Sequence, residues 1–136
     1  MLSKLSFIDV MAAVQTLVEK NTQKRCYDFI PKDQDPPFYS VEIPNQEPHP
    51  NKTMWVERYD IFLHCWAPAG ESSAPVLLMI KALEEAMTEA IRLPEPYNLL
   101  MQTPHGGRGT FIGEDGTYHA VMQYRVMISY GFKSKI

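Results

Sequence analysis

Apolar residues near the N-terminus recur at three- and four-residue spacing: Phe7, Val10, Met11, Val14, Leu17 and Val18. That is the period of a helix with one buried stripe. Ser6 stands where an N-cap is needed, and the stripe predicts an end near Lys20 and Asn21. Such a helix must lie on a sheet or on a second helix. Arg25 to Ile30 predicts a short strand. Pro31 to Pro50 holds six of the eleven prolines, so the run Phe38, Tyr39, Val41, Ile43 inside it predicts a strand close to a free edge. Pro44 to Thr53, PNQEPHPNKT, contains none of the residues AVILMFWYC and predicts a projecting loop or hairpin tip that carries partner contacts.

From Met54 to Ala67 the pattern changes to strict alternation. Trp55, Glu57, Tyr59, Ile61, Leu63 and Cys65 share one face, and Met54, Val56, Arg58, Asp60, Phe62, His64 and Trp66 share the other. The second face mixes charge with apolar bulk, which predicts exposure at one end and cover at the other. PAGESSAP then leads into a second amphipathic helix, capped by Ser72 or Ser73 with Pro75 in its first turn. Its stripe is Val76, Met79, Ile80, Leu83, Met87, Ala90 and Ile91, and Leu93-Pro94-Glu95-Pro96 marks its end. Tyr97 to Thr103 predicts a strand, PHGGRG a mobile turn, and Thr110 to Ile112 a further extended piece. Gly113-Glu114-Asp115-Gly116 is a hairpin signal that returns the chain into a long last strand, Thr117 to about Lys133, predicted to be central or pairing in the sheet.

The order is therefore α-β-β-β-α-β-β in one domain spanning 1–136. Hairpin connections favour an α+β fold, a mainly antiparallel β-sheet with two amphipathic helices packed on one face. One helix layer covers only one face of a sheet. The other apolar patch, around Phe62 and Trp66, calls for a second subunit or a folded-back loop.

Composition narrows the function. With 13 basic and 16 acidic residues the net charge is -3, and the basic residues are scattered, which argues against specific nucleic-acid binding. Cys26 and Cys65 do not make a disulfide scaffold. Asp9 interrupts the first apolar stretch, so a signal peptide is a poor reading, and no apolar run approaches the roughly 20 residues a bilayer requires. These features predict a protein made and kept in a cytoplasm, without membrane partners.

Candidate chemistry is thin. None of His49, His64, His105 and His119 stands in an HxxxH or CxxC arrangement, and His64 and Cys65 point to opposite faces of their strand, so no metal site or cofactor is expected. His105-Gly106-Gly107-Arg108-Gly109 has the composition of a phosphate nest but lacks a following Lys-Ser/Thr and opens no helix. No GxSxG elbow is present, and Glu84, Glu85 and Glu89 sit on the polar helix face. The aromatic residues of the two long strands fit core packing and subunit contact better than base stacking.

The N-terminal helix, PPFYSVEI, WVERYDIFLHCWA, ESSAPVLLMIKALEEAM and HAVMQYRVMISY follow one another in an order that resembles the small tail completion and tail terminator proteins of long-tailed phages and prophage-derived particles. The resemblance implies a structural, non-enzymatic protein without catalytic residues. It implies a ring, commonly of six copies, at the head-proximal end of the tail tube, joining tail to head and ending up in the virion tail after assembly in the bacterial host cytoplasm. Its partners would be further copies of itself, the tail tube protein and a head-completion or connector protein. The candidate contact residues are Lys52, His105, Arg108, Phe62 and Trp66. The rival readings are a small-ligand-binding or enzymatic α+β domain with a pocket near the GGRG segment, and a monomeric adaptor for a single partner.

Overall fold

The computed structural model describes residues 3–113 and 115–132. Helix α1 runs Phe7–Thr22, and the Ser6 hydroxyl accepts from the Ile8 N–H at 3.1 Å, satisfying one of the orphan donors of the first turn. Gln23 closes it in the left-handed region at φ 60°. Val10, Val14, Leu17 and Val18 form its buried stripe, as their spacing predicts.

Five strands follow in the order expected: β1 Cys26–Tyr27, β2 Phe38–Pro48, β3 Met54–Ala67, β4 Asn98–Ile112 and β5 Tyr118–Phe132, with α2, Ala74–Ala86, between β3 and β4. Their spatial order is β1-β2-β3-β5-β4, so the two long alternating strands lie side by side at the centre. β1 pairs parallel with β2, and every other pairing is antiparallel. Both helices lie on one face. Tyr39, Val41, Tyr59, Ile61, Leu63, Cys65, Tyr124, Val126 and Ile128 point into the core beneath them, and the Tyr39 hydroxyl donates to the Met79 carbonyl at 2.8 Å.

Four local expectations need correction. The Arg25–Ile30 strand shrinks to Cys26–Tyr27, the two residues registered against β2, and α1 closes their other edge: Glu19 Oε2 accepts from the Cys26 N–H, and the Gln15 amide donates to the Cys26 carbonyl. Pro44 to Pro48 is not a loop but the second half of β2, resumed after an irregularity between Glu42 and Asn45. Polar side chains hold it there. Asn45 donates to Asp60, Gln46 to the hydroxyls of Tyr59 and Tyr130, and Glu47 accepts from Arg58 at 2.8 Å. Only residues 49–53 remain as the turn.

PHGGRG is likewise part of β4, interrupted by irregularities at Pro104/Gly107 and Gly107/Gly109. Gly106 at φ 86° and Gly109 at φ 92° supply the conformations that bulges demand of an edge strand. Finally, α2 stops at Ala86, although its apolar stripe continues. Met87 and Ile91 stay buried in non-helical chain, because the Gln102 amide donates to the carbonyls of Met87 and Glu89 and accepts from the Ile91 N–H. That side chain from β4 takes over the hydrogen bonds a further helical turn would have made.

Candidate functional site: the uncovered face of the sheet

With both helices on one side, the opposite face of β2, β3 and β5 carries the second set of alternating side chains. At one end runs a row of rings. Tyr27 meets Phe29 and Phe38 edge-on at centroid distances of 5.6 Å, Phe38 lies against Trp66 at 6.2 Å, and Trp66 stacks on His119 at 3.8 Å with 3° between planes. The Trp66 indole N–H donates to the Ser40 hydroxyl at 2.9 Å, so its polar edge is satisfied. His64 Nδ1 and His119 Nε2 are 2.7 Å apart, and His64 Nε2 lies 2.7 Å from a Glu42 carboxylate oxygen. One proton between the two ring nitrogens is what that separation requires.

Burial of the ring and the neighbouring His64 push the His119 imidazole down from 6.5 to about 4, against the smaller upward pull of Glu42. The unfolded chain therefore binds a proton that the folded chain refuses between these two values. The stability this reflects is complete above pH 6.5 and falls as the pH drops toward 4. Fully desolvated, the displacement would correspond to about 3 kcal/mol, and the partial exposure of the ring reduces this to roughly 1–2 kcal/mol. His119→Gln should flatten that part of the pH profile, which thermal melts between pH 7 and pH 4 would show as a smaller loss than in the parent.

The middle of the face is ionic. Asp60 accepts from Arg125 Nε at 2.9 Å and from the Asn45 amide at 3.1 Å, and Arg58 Nε lies 3.6 Å away. Arg58 also bonds Glu47, so β2, β3 and β5 are tied across the face by one network. On the opposite, helix-covered face Lys4 pairs with the nearly buried Glu57 at 2.8 Å, which raises the Lys4 pKa, and the Tyr59 and Tyr130 hydroxyls share a hydrogen bond.

The residues singled out for partner contact are dispersed over this frame. Phe62 and Trp66 are half-buried on the uncovered face, one residue to either side of His64 along that face. Lys52 is exposed in the turn at residues 49–53, and His105 is exposed on β4. Arg108 belongs to β4, and its side chain lies outside the described part of the chain. Sequence reasoning missed the Glu42–His64–His119 cluster and a second group, the exposed Phe29, Ile30, Leu77, Leu78, Leu100 and Ile112. The alternation of β3 did place His64 with Phe62 and Trp66 on one face, but its adjacency to His119 depends on the register of β3 against β5, in which Trp66 opposes His119.

Beside β4, on the helix side, lies an open cleft of about 730 Å³. It touches Pro104, near the segment where a ligand pocket is the rival expectation. Its one amide, Gln102, is already engaged by the chain after α2, and Glu84 and Glu85 stand at its rim. No group of three or more His, Cys, Asp or Glu suited to a metal ion occurs among the described residues. None of the described helices is long and apolar enough to cross a membrane.

These features define a small α+β domain with a helix-backed sheet and one uncovered face. A family model described as "Putative tail termination protein" matches residues 1–136, and the chain belongs to that family. It is accordingly a structural protein of a phage tail. A chain in a solved structure described as the virion of a native gene transfer agent particle has the same fold, with a TM-score of 0.73 at 13% identity over 91% of this chain and 99% of that one. No curated protein matches the sequence.

Proposed function

We propose that this protein closes the tail: six copies form a ring at the head-proximal end of the tail tube, stop its growth and present a surface to the head-completion protein. The observation that carries this reading is the family match over the whole chain. The architecture supports it, since a domain covered on one face only keeps the other for contact. The turn with Lys52 and the β4 segment with His105 and Arg108 are contact points for the tube and head partners.

The protein acts by assembly and not by catalysis. Its candidate acid–base groups are paired with one another, His64 with His119 and Asp60 with two arginines. Cys26 and Cys65 are buried thiols pushed up to about 12 by desolvation, which leaves them protonated and unreactive near neutral pH. Two reduced cysteines suit assembly in the host cytoplasm before the virion is released.

Light scattering across a concentration series, with and without tail tube protein, tests the ring. The expected species has six times the 15.6 kDa of one chain. A strict monomer under every condition overturns the reading.

A further inference from the structure

The helical layer is narrower than the sheet. α1 packs over β1 and β2 and α2 over β3 and β5, while β4 extends past both. On that overhang Leu99, Pro104, Met122 and Tyr124 make the apolar floor of the 730 Å³ cleft, and Glu84 and Glu85 of α2 form its wall. Leu100, 46% exposed, stands at its outer rim. The cleft is within the size range of pockets that hold a small ligand or a pair of large side chains.

The opposite edge of the sheet has the converse shape. Just past β1, Phe29 and Ile30 are 59% and 60% exposed. Strand addition is not available at β1 itself, because the Cys26 N–H and carbonyl are taken by Glu19 and Gln15. This edge offers side chains instead. Lys24 and Lys32 flank the two apolar residues. Asp28, Asp33 and Asp35 lie in the same stretch, so the charge match rests on the two lysines individually and not on the net charge of the segment.

We propose that Phe29 and Ile30 of one copy seat in the β4–α2 cleft of the next, with Lys24 and Lys32 facing Glu84 and Glu85. The apolar pair is removed from water at a site where an apolar floor is already open, and the lysines meet Glu84 and Glu85, of which Glu85 already has Lys81 at 3.9 Å. Donor and acceptor are different patches at opposite edges of the molecule. Each copy gives one contact and receives one, which is the heterologous geometry that closes into a ring when the rotation per copy divides a full turn. An isologous contact through the uncovered face would instead stop at two copies. This inference rests on the ring reading above and specifies its subunit contact.

Two variants test it, both at surface positions whose change should leave the melting temperature close to the parent. Phe29→Ser with Ile30→Ser removes the donor, and Leu100→Glu with Glu84→Lys spoils the acceptor. Under conditions where the parent forms rings, each variant alone should remain monomeric. Mixed in equal amounts they should form a one-to-one heterodimer, because the Ser variant keeps its cleft and the cleft variant keeps its Phe29 and Ile30. Rings formed by either variant alone, or a mixture that stays wholly monomeric or closes into rings, overturn this pairing while leaving the ring reading intact. A parent chain that never assembles overturns both.

Discussion

Asp60→Ala should lower the melting temperature by roughly 6–15 °C, the largest loss expected from a single change on the uncovered face. The Asp60 side chain is 10% exposed, and the two guanidinium groups it holds, Arg58 and Arg125, are 16% and 27% exposed. Removing the carboxylate leaves two like charges directed at the same empty position, with the Asn45 amide also losing its acceptor. Breaking a fully buried pair costs about 3–5 kcal/mol, and the partial exposure of Arg125 brings the expectation to roughly 2–4 kcal/mol. Asp60→Asn keeps the volume and one acceptor, and should fall between the parent and alanine. Replacing the trio together, as Asp60→Leu with Arg58→Met and Arg125→Leu, should recover much of the loss, because no buried charge is stranded and Glu47, which loses Arg58, is 48% exposed. A melting temperature for Asp60→Ala within about 2 °C of the parent would show that the network is solvated and contributes little. The consequence reaches the contact surface, since the same network pins the second half of β2 and with it the turn that carries Lys52.

That network also shows why some elements could be read from the sequence and others could not. α1 and β3 report themselves through local periods, and β3 begins and ends where the alternation does, at Met54 and Ala67. The second half of β2 has no such signal. Asn45, Gln46 and Glu47 form a strand because Asp60, Tyr59, Tyr130 and Arg58 are waiting across the sheet, and those partners lie beyond the reach of a local period, in the next strand or, for Tyr130, in the last. The same holds at PHGGRG, where glycines at positive φ serve bulges in an edge strand and not a turn, a distinction set by the neighbouring β5. The end of α2 was hidden for a related reason. Its apolar stripe continues through Met87 and Ile91, yet Gln102 reaches in from β4 and satisfies the backbone that the helix abandons.

The candidate site divides along the same line. That one face of the sheet would stay free of helices followed from counting two amphipathic helices against one sheet. Which residues meet on that face followed from register, so Trp66 was visible as a residue while its stack on His119 was not. The exposed apolar residues were concealed by their neighbours: Leu77 and Leu78 lie beside the helical stripe and outside it, and Phe29 and Ile30 within an apparent strand, yet all four are more than half exposed.

Under the proposed function, tail termination should give an all-or-none effect, because one ring at a tube end would block every later addition at that end. Tube protein polymerised alone should lengthen until subunits are exhausted. With this protein present from the start, or added midway, growth should stop at lengths set by the time of addition, at a ratio of only a few copies per tube end. The capped ends should show a ring of the same diameter as the tube wall. Changes in bulk tube stability alone would not produce this dependence on the time of addition. Tube lengths measured by electron microscopy as a function of when the protein is added therefore test the account most directly. The prediction is arrested lengths with a ring at one end, and tubes that keep growing to the same length with bare ends would contradict it.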